Sequence, residues 1–157
     1  MKIVSGGQTG VDRAALDAAI KHEVEHDGWC PKGRMAEDGT IDKKYKLKQT
    51  RTCDYETRTE KNVTDSDGTL IICRHQPNVG TLLTILLCAK HGKPVLWIRP
   101  GKKYKPSDLK RALKWIGDNN IKTLNCAGPR LSKDRQIYDI AYNFICRLLE
   151  ALGNSLF

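Results

Sequence analysis

The first segment whose residue types could do chemistry is Ser5-Gly6-Gly7-Gln8-Thr9-Gly10, which follows a short β-branched run at residues 2–4. Glycines let backbone N–H groups approach an anion closely, and the helix expected next along the chain adds its positive end. Ser5 and Thr9 add hydroxyl donors. The segment therefore predicts a site for an anion or another polar ligand; the alternative is a tight strand-to-helix turn without a ligand.

Two known phosphate-binding patterns do not fit this segment. A Walker A loop is excluded because no Gly-Lys-Ser/Thr follows. The dinucleotide-binding fingerprint requires a different spacing from that of Gly6, Gly7 and Gly10, and an acidic residue that ends the second strand. We therefore expect no nicotinamide cofactor.

Asp12 lies in the first turn of the helix that follows. Its carboxylate either complements the positive helix end or contacts a hydroxyl, a ring nitrogen or a bridging metal ion of a ligand. Further along the chain, Gly80 and Thr81 open another helix and repeat the combination of glycine and hydroxyl. The arginines in connecting segments that could bind an oxyanion through paired hydrogen bonds are Arg34, Arg58 and Arg130.

The segment His22-Glu23-Val24-Glu25-His26 spells the zinc-protease pattern H-E-x-x-H. That pattern needs one continuous helix through both histidines, whereas the helical pattern here ends near Lys21 and Asp27-Gly28 follows at once. No third ligand is evident downstream, so we expect no structural zinc. A Gly-x-Ser-x-Gly nucleophile pattern is also absent from the sequence, and no catalytic residue is assigned.

The elements that must position these residues alternate between strand and helix. Residues 31–57 have no clear period and predict a long loop, which is often functional in a compact domain. Strands are predicted at residues 2–5, 24–30, 69–73, 95–98 and 121–126, and helices at residues 11–21, 80–91, 109–116 (capped by Ser107 and Asp108) and 132–152. This alternation predicts one α/β domain over residues 1–157, with an open parallel five-stranded sheet between two helix layers. In the expected strand order 2-1-3-4-5, the first and third strands are neighbours, so both glycine-bearing helix starts face one crevice.

The composition of the chain limits the kinds of partner that we expect it to bind. The chain has 157 residues with 27 basic and 18 acidic side chains, a net charge of +9, which favours anionic partners. Lysines cluster at residues 43–48 and 102–105, but no nucleic-acid-binding motif accompanies them, so we expect no specific nucleic acid. The six cysteines form no Cys-x-x-Cys pair, and the sequence has neither a signal segment nor an apolar run that could span a membrane. We therefore expect a cytoplasmic protein with no membrane partner.

Six blocks of the sequence resemble, in order, the family of molybdenum carrier proteins, and together they cover nearly the whole chain. The blocks are Ser5 to Arg13, Gly28 to Arg34 with Ala36 to Gly39, Tyr55 to Thr59, Asn62-Val63 with Ser66-Asp67, Gly80 to Thr84, and Ala127 to Arg130. The resemblance implies a homo-oligomeric, Rossmann-like three-layer domain. It also implies that the domain holds a phosphorylated, pterin-type molybdenum cofactor (molybdopterin) or molybdate until transfer, with a molybdoenzyme as the acceptor.

The resemblance also implies which residues hold this small anionic ligand. The phosphate end would lie on Gly7, Gln8, Thr9 and Gly10. The further ligand-binding candidates that it implies are Asp12, Arg34, Asp67, Thr81 and Arg130, and the two glycine-bearing helix starts add Gly6 and Gly80.

Two alternatives to a carrier remain open from the sequence. The first is a hydrolase that cleaves an N-glycosidic or phosphate bond of a nucleotide-like ligand, in which Asp12, Glu37 or Asp67 activates water. The second is a structural or regulatory domain with a vestigial pocket. A binding protein without a covalent step is the function that we favour from the sequence.

Overall fold

In the computed structural model, which describes residues 1–154, strands alternate with helices along most of the chain. The elements are β1 (Lys2–Val4), α1 (Val11–Lys21), β2 (His26–Asp27), β3 (Trp29–Cys30), β4 (Met35–Ala36), β5 (Gly39–Thr40), β6 (Lys48–Gln49), α2 (Tyr55–Thr64), β7 (Gly68–Ile72), α3 (Val79–Lys90), β8 (Val95–Ile98), α4 (Pro106–Asp118), β9 (Thr123–Ala127) and α5 (Ile137–Asn154). None of the helices within this described part is long and apolar enough to cross a membrane.

A parallel five-stranded sheet forms the centre of the molecule, in the order β2-β1-β9-β7-β8. Alternate residues of a strand point to opposite faces of the sheet, and each face is covered by helices. On one face Leu70, Ile72 and Leu124 pack with residues of α1, α4 and α5. On the other face α2 and α3 pack together around Val63 and Cys88. The predicted α/β, Rossmann-like three-layer architecture with an open parallel sheet is confirmed.

The strand order differs from the prediction in one respect. The fifth main strand along the chain, β9, lies between the first and the third, so the order is 2-1-5-3-4 rather than 2-1-3-4-5. Leu124 pairs with Ile3 on one side, and Cys126 pairs with Leu70 on the other. The order cannot be read from the sequence, because every central strand is a similar apolar run. Moving the last strand to the front would give 3-2-1-4-5, the order of the Rossmann fold.

The predicted loop at residues 31–57 contains short regular pieces. β4 and β5 form an antiparallel hairpin, and β6 pairs in parallel with β3. Helix α2 begins at its end, where the Asp54 side chain accepts a hydrogen bond from the Thr57 N–H at 2.7 Å. No helical period is visible in this part of the sequence, because α2 buries only Asn62 and Val63.

The structure also corrects the predicted starts of two helices, α5 and α4. Residues 132–136 form turns, and α5 begins at Ile137 rather than at Ser132. In α4 the cap is Lys105, whose N–H donates to the Asp108 side chain at 2.8 Å. The side chain of Asp108 therefore caps the helix from inside its first turn.

Candidate functional site

A cavity of about 400 Å³ opens at the carboxyl edge of the sheet. It lies in front of β9 and β7, where the strand order reverses in the Rossmann arrangement, and this is the place where open α/β sheets bind ligands. Its volume is in the range of small-molecule sites. Four parts of the chain form its walls: the β1–α1 turn, α2, the start of α3, and β9 with the segment after it.

The structure brings six of the predicted site residues together around this cavity. They are Gly6, Gln8, Asp12, Gly80, Thr81 and Arg130. The predicted site residues that do not line the cavity are Gly7, Thr9, Gly10, Arg34 and Asp67.

The β1–α1 turn, which carries the glycine-rich segment, is closed by its own side chains. The Gln8 N–H donates to Asp12 Oδ2 at 3.3 Å, and the Thr9 N–H donates to Gln8 Oε1 at 3.0 Å. At the start of α1, the Val11 N–H donates to the Pro129 carbonyl at 3.3 Å. In this structure internal acceptors therefore hold these three amides, and the predicted anion site at this turn stays a prediction.

The glycines of this turn serve close packing instead. A Cβ on Gly10 would lie 2.2 Å from the Pro129 carbonyl oxygen, and Gly10 has a φ of 79°. A Cβ on Gly7, with a φ of 76°, would lie 2.6 Å from a Leu47 methyl carbon. Both positions require glycine for steric reasons that involve no ligand.

Glu37 joins the hairpin of β4 and β5 to the β1–α1 turn. Its carboxylate accepts hydrogen bonds from the Thr9 hydroxyl, from the Ser132 hydroxyl at 2.5 Å and from the Ser132 N–H at 3.1 Å. Burial alone would raise the pKa of Glu37, but the hydrogen bonds from Ser132 and Thr9 hold that pKa below its usual value. Arg130 Nε lies 3.6 Å from the same carboxylate. Glu37 therefore holds in place the segment after β9, which contains Arg130 and forms part of the cavity wall.

Arg34 organises the loop rather than the cavity. Its guanidinium donates to the carbonyl oxygens of four loop residues, Ile41, Asp42, Tyr45 and Leu47, at 2.8–3.1 Å. These four loop carbonyls need donors, and this arginine supplies them. The structure therefore gives Arg34 a structural role that the sequence does not reveal.

Asp67 lies at the opposite edge of the sheet from the cavity, directly before β7. Its Oδ2 accepts the N–H of Lys122 at 2.9 Å and that of Thr123 at 2.7 Å, at the start of β9. The hydrogen bond from Thr123, opposed by burial, lowers the pKa of Asp67. Asp67 therefore fastens β9 to β7 and does not approach the cavity.

A buried ion pair forms the floor of the cavity. Arg58 Nη1 of α2 lies 2.9 Å from Asp12 Oδ2, and the guanidinium lies so close to Gly6 that a Cβ there would be 1.4 Å from Nη1. Burial raises the pKa of Asp12, although the Arg58 charge opposes this effect. The Arg58 Nε is buried and has no hydrogen-bond partner within residues 1–154. Asp12 thus holds a guanidinium that retains one unused donor in the cavity wall.

The start of α3 forms the facing wall. Asn78 is the N-cap, and its Oδ1 accepts the Thr81 N–H at 3.0 Å. The N–H groups of Val79 and Gly80 have no intrahelical acceptor because they lie in the first turn. Thr81 is only 3% exposed, and its hydroxyl has no partner in the described part of the chain. This helix end therefore carries unused donors beside the cavity, together with its partial positive charge.

The balance of charge in the cavity wall favours an anion. Its charged side chains are Asp12, Arg58, Arg130 and Lys133, three cations and one carboxylate. Apolar contact area is provided by Leu83, Val79 and the ring of Tyr55, which lies 5.4 Å from the Arg58 guanidinium carbon. The wall can therefore bind a ligand that has both an anionic group and a flat or apolar part.

Metal-ligating side chains do not gather in this structure. Within residues 1–154 no group of three or more His, Cys, Asp or Glu side chains could hold a metal ion. The two histidines of the H-E-x-x-H pattern lie on different elements, since His22 ends α1 and His26 begins β2. An anion in the cavity would therefore be held by hydrogen bonds and charge.

Sequence reasoning did not identify several residues of the cavity wall. Asn78, Tyr55 and Lys133 were not predicted to lie there, and Arg58 was considered only as one of three arginines. Asn78 could have been found, because asparagine directly before a helical apolar run is a strong N-cap signal. Lys133 could not have been found, because its position at the cavity depends on β9 lying at the centre of the sheet.

The comparisons with known proteins agree on one family. The family model described as the circularly permutated YpsA SLOG family matches residues 3–149. Among solved structures, the chain is similar to a crystal structure from Syntrophus aciditrophicus SB that is named "Putative molybdenum carrier protein". The two chains are 43% identical, the match covers 94% of this chain and 93% of the other, and the TM-score is 0.88. No curated protein is significantly similar to the chain.

Proposed function

Since the chain belongs to the circularly permutated YpsA SLOG family, we propose that it is a molybdenum carrier that binds a phosphorylated, anionic ligand in the cavity before β9 and β7. The ligand that we propose is the molybdenum cofactor, a phosphorylated pterin, or molybdate itself. The single observation that carries this proposal is the wall of three cations and one carboxylate beside an open helix start.

The proposed position of the anionic group is between α3 and Arg58. There the first amides of α3, the Thr81 hydroxyl and the Arg58 Nε are donors without acceptors in the described residues. A buried donor without an acceptor destabilises the folded protein. A ligand that supplies the acceptor removes this cost, and the difference contributes to the free energy of binding. A flat ring system would lie against Tyr55 and Leu83.

The proposed release of the ligand needs no covalent step. Arg130, whose side chain is 41% exposed, lies at the outer part of the wall, so a ligand remains accessible from solvent. A molybdoenzyme that offers stronger ligands would take the molecule from the cavity. In this scheme the protein supplies binding and protection only.

The test is titration calorimetry with molybdate and with molybdopterin, together with mass spectrometry of small molecules that remain after gentle purification. Arg58→Gln removes a cation from the wall and is expected to weaken binding by about tenfold or more, the loss of one charge-assisted contact. Arg147→Gln is the matched control, because this exposed arginine pairs with Glu150 on the surface of α5, away from the cavity. If wild-type protein binds molybdopterin, molybdate and common nucleotides equally poorly, the carrier proposal fails.

The hydrolase alternative retains one candidate residue. Asp12 is the carboxylate in the cavity wall, and burial raises its pKa, as in general acids. Glu37 is occupied by Thr9 and Ser132, and Asp67 lies at the other edge of the sheet. Incubation with nucleoside monophosphates tests this alternative: turnover that Asp12→Asn abolishes would favour the enzyme, and we expect none.

A further inference from the structure

The positive charge of the chain is concentrated at one edge of the sheet. Three segments follow the ends of β7, β8 and β9, at residues 73–78, 99–105 and 128–136. They are 22 of the 157 residues, yet they hold eight of the 27 basic side chains and one of the 18 acidic ones. Their net charge of +7 is therefore most of the +9 of the whole chain. We call these three segments the cationic edge.

The three segments form one continuous surface. β7 lies between β9 and β8 in the sheet, and parallel strands end at the same edge. Arg74, after β7, contacts Asp134, after β9, with 2.8 Å between Nε and Oδ2. Arg99, after β8, donates from Nε to the Arg74 carbonyl oxygen at 3.2 Å. Lys133, next to Asp134, is part of the cavity wall, so the cationic edge runs from the end of β8 to the cavity.

Most cations of this edge have no carboxylate beside them. Arg74 pairs with Asp134, and Arg130 lies 3.6 Å from Glu37. The other six are exposed and form no ion pair within residues 1–154; they are Arg99, Lys102, Lys103, Lys105, Lys133 and Arg135. Like charges that are held close together repel one another, and no demand of the core places these exposed side chains there. The cluster is therefore better explained by what it attracts than by the fold.

We propose that the cationic edge captures multiply charged anions from solution and guides them to the cavity. The end of β8 lies two strand spacings from the end of β9, about 10 Å. Salt at 0.1 M screens a charge over a similar distance, about 10 Å. The cations of the edge therefore act on an anion that approaches the cavity, and a field of this kind raises the rate of association.

The edge should also select ligands by their charge. The energy of an anion in the field is proportional to its charge, so the gain in rate for a dianion is the square of the gain for a monoanion. A phosphate monoester carries about two negative charges near pH 7, whereas a carboxylate carries one. The class of ligand favoured is thus an oxyanion with two or more charges. This selection rests on the proposed function, because it assumes that the ligand enters the cavity, whereas the field itself does not.

Thiol reagents of different charge measure the field without any ligand. In a Cys53→Ser background, which removes the exposed native thiol, Val79→Cys places a reporter thiol in the cavity wall, at a position that is 86% exposed. The other native cysteines are buried. The rate of reaction with dithiobis(nitrobenzoate), a dianion, is divided by the rate with dithiodipyridine, which is neutral. Both reagents react with the same thiolate, so the ratio is independent of the pKa of the thiol.

Partial neutralisation of the edge should lower this ratio. The variant combines Lys102→Gln, Lys103→Gln and Arg135→Gln, since these side chains are exposed and do not line the cavity. At an ionic strength of about 0.01 M the ratio is expected to fall by about threefold to tenfold, because the field then acts over about 30 Å. In 1 M salt the field acts over about 3 Å, and the variant and the wild-type edge should give equal ratios.

The matched control removes the same charge from the loop between β3 and α2. It combines Lys32→Gln, Lys43→Gln and Lys46→Gln, whose side chains are also exposed and outside the cavity wall. Its ratio should change by less than about twofold. An unchanged ratio in the edge variant, or an equal fall in the control, would overturn the proposal. Circular dichroism confirms that each protein is folded.

Stopped-flow binding of molybdate to the same proteins separates this proposal from the carrier function. The edge variant is expected to bind molybdate several-fold more slowly and to release it at an unchanged rate, because the altered residues lie outside the cavity wall. A protein that shows the reporter effect but binds neither molybdate nor molybdopterin counts against the carrier and leaves the field in place. A protein that binds molybdate and shows no reporter effect counts against the cationic edge and leaves the carrier in place.

Discussion

The two glycine-and-hydroxyl helix starts of this protein look alike in sequence and differ in structure. At the start of α1, internal acceptors hold the amides of Gln8, Thr9 and Val11. At the start of α3, the Asn78 side chain caps the Thr81 amide, and the Thr81 hydroxyl, which lies beside a cavity, has no partner among residues 1–154. A glycine-rich helix start is therefore an anion site only where the neighbouring chain leaves it uncovered.

The largest expected difference between the two starts concerns their glycines. Gly10→Ala should lower the free energy of unfolding by about 2–4 kcal/mol, because it combines a strained φ with a Cβ 2.2 Å from the Pro129 carbonyl oxygen. Gly80→Ala should change it by less than about 1 kcal/mol, because a Cβ there meets only Asn78 Oδ1, at 3.6 Å. Urea unfolding measures both, and equal losses would contradict the distinction.

Removal of the two threonine hydroxyls should have different effects: one change should lower stability, and the other should lower ligand affinity. Thr9→Val removes the donor to Glu37 and the acceptor of the Leu131 N–H, and should cost about 1–2 kcal/mol of folding free energy while ligand affinity changes little. Thr81→Val removes a hydroxyl that has no partner in the described part of the chain, so stability should stay constant or rise while affinity for molybdate falls several-fold. Thermal unfolding and calorimetry on the same two variants provide the comparison. A Thr9→Val protein that loses affinity as strongly as Thr81→Val would contradict it.

The smallest expected effect is the pH dependence of the Glu37 contact. The native pKa of Glu37 lies below its ordinary value of 4.5, so the contact contributes its full stability above that value. The stability is lost as the pH falls through the lowered pKa, because the unfolded chain then binds the proton more readily. Unfolding free energies measured between pH 6 and pH 3 should fall less steeply for Glu37→Gln than for wild type, by about 1 kcal/mol or less. Parallel curves would show that Glu37 makes no such contribution.

The sequence predicts the elements of this fold better than their arrangement. Strands such as Gly68–Ile72 and Val95–Ile98 are recognisable because an apolar run of that length fits a strand covered on both faces. The place of Thr123–Ala127 at the centre of the sheet depends on pairing between distant parts of the chain, which no local pattern encodes. Helix α2 escaped prediction because its buried face is only two residues wide.

As with the fold, only some residues of the candidate site could be predicted from the sequence. Gly80 and Thr81 could be placed by rule, since helix starts after parallel strands meet at one edge of the sheet. Arg34 could not, because the demand of four loop carbonyls for a donor exists only once the loop has folded. The hydrogen bonds of the Gln8 and Asp12 side chains could not be predicted either. They occupy backbone amides of the first turn that the sequence analysis assigned to an anion.

The place of β9 in the chain has a consequence for how the protein is made. Until this strand has been made, β1 can pair only with β2 in the main sheet and β7 only with β8, so the two halves of the sheet cannot be joined. Insertion of the final strand joins them and creates the space in front of them in the same event. A chain that ended before β9 would therefore lack the cavity.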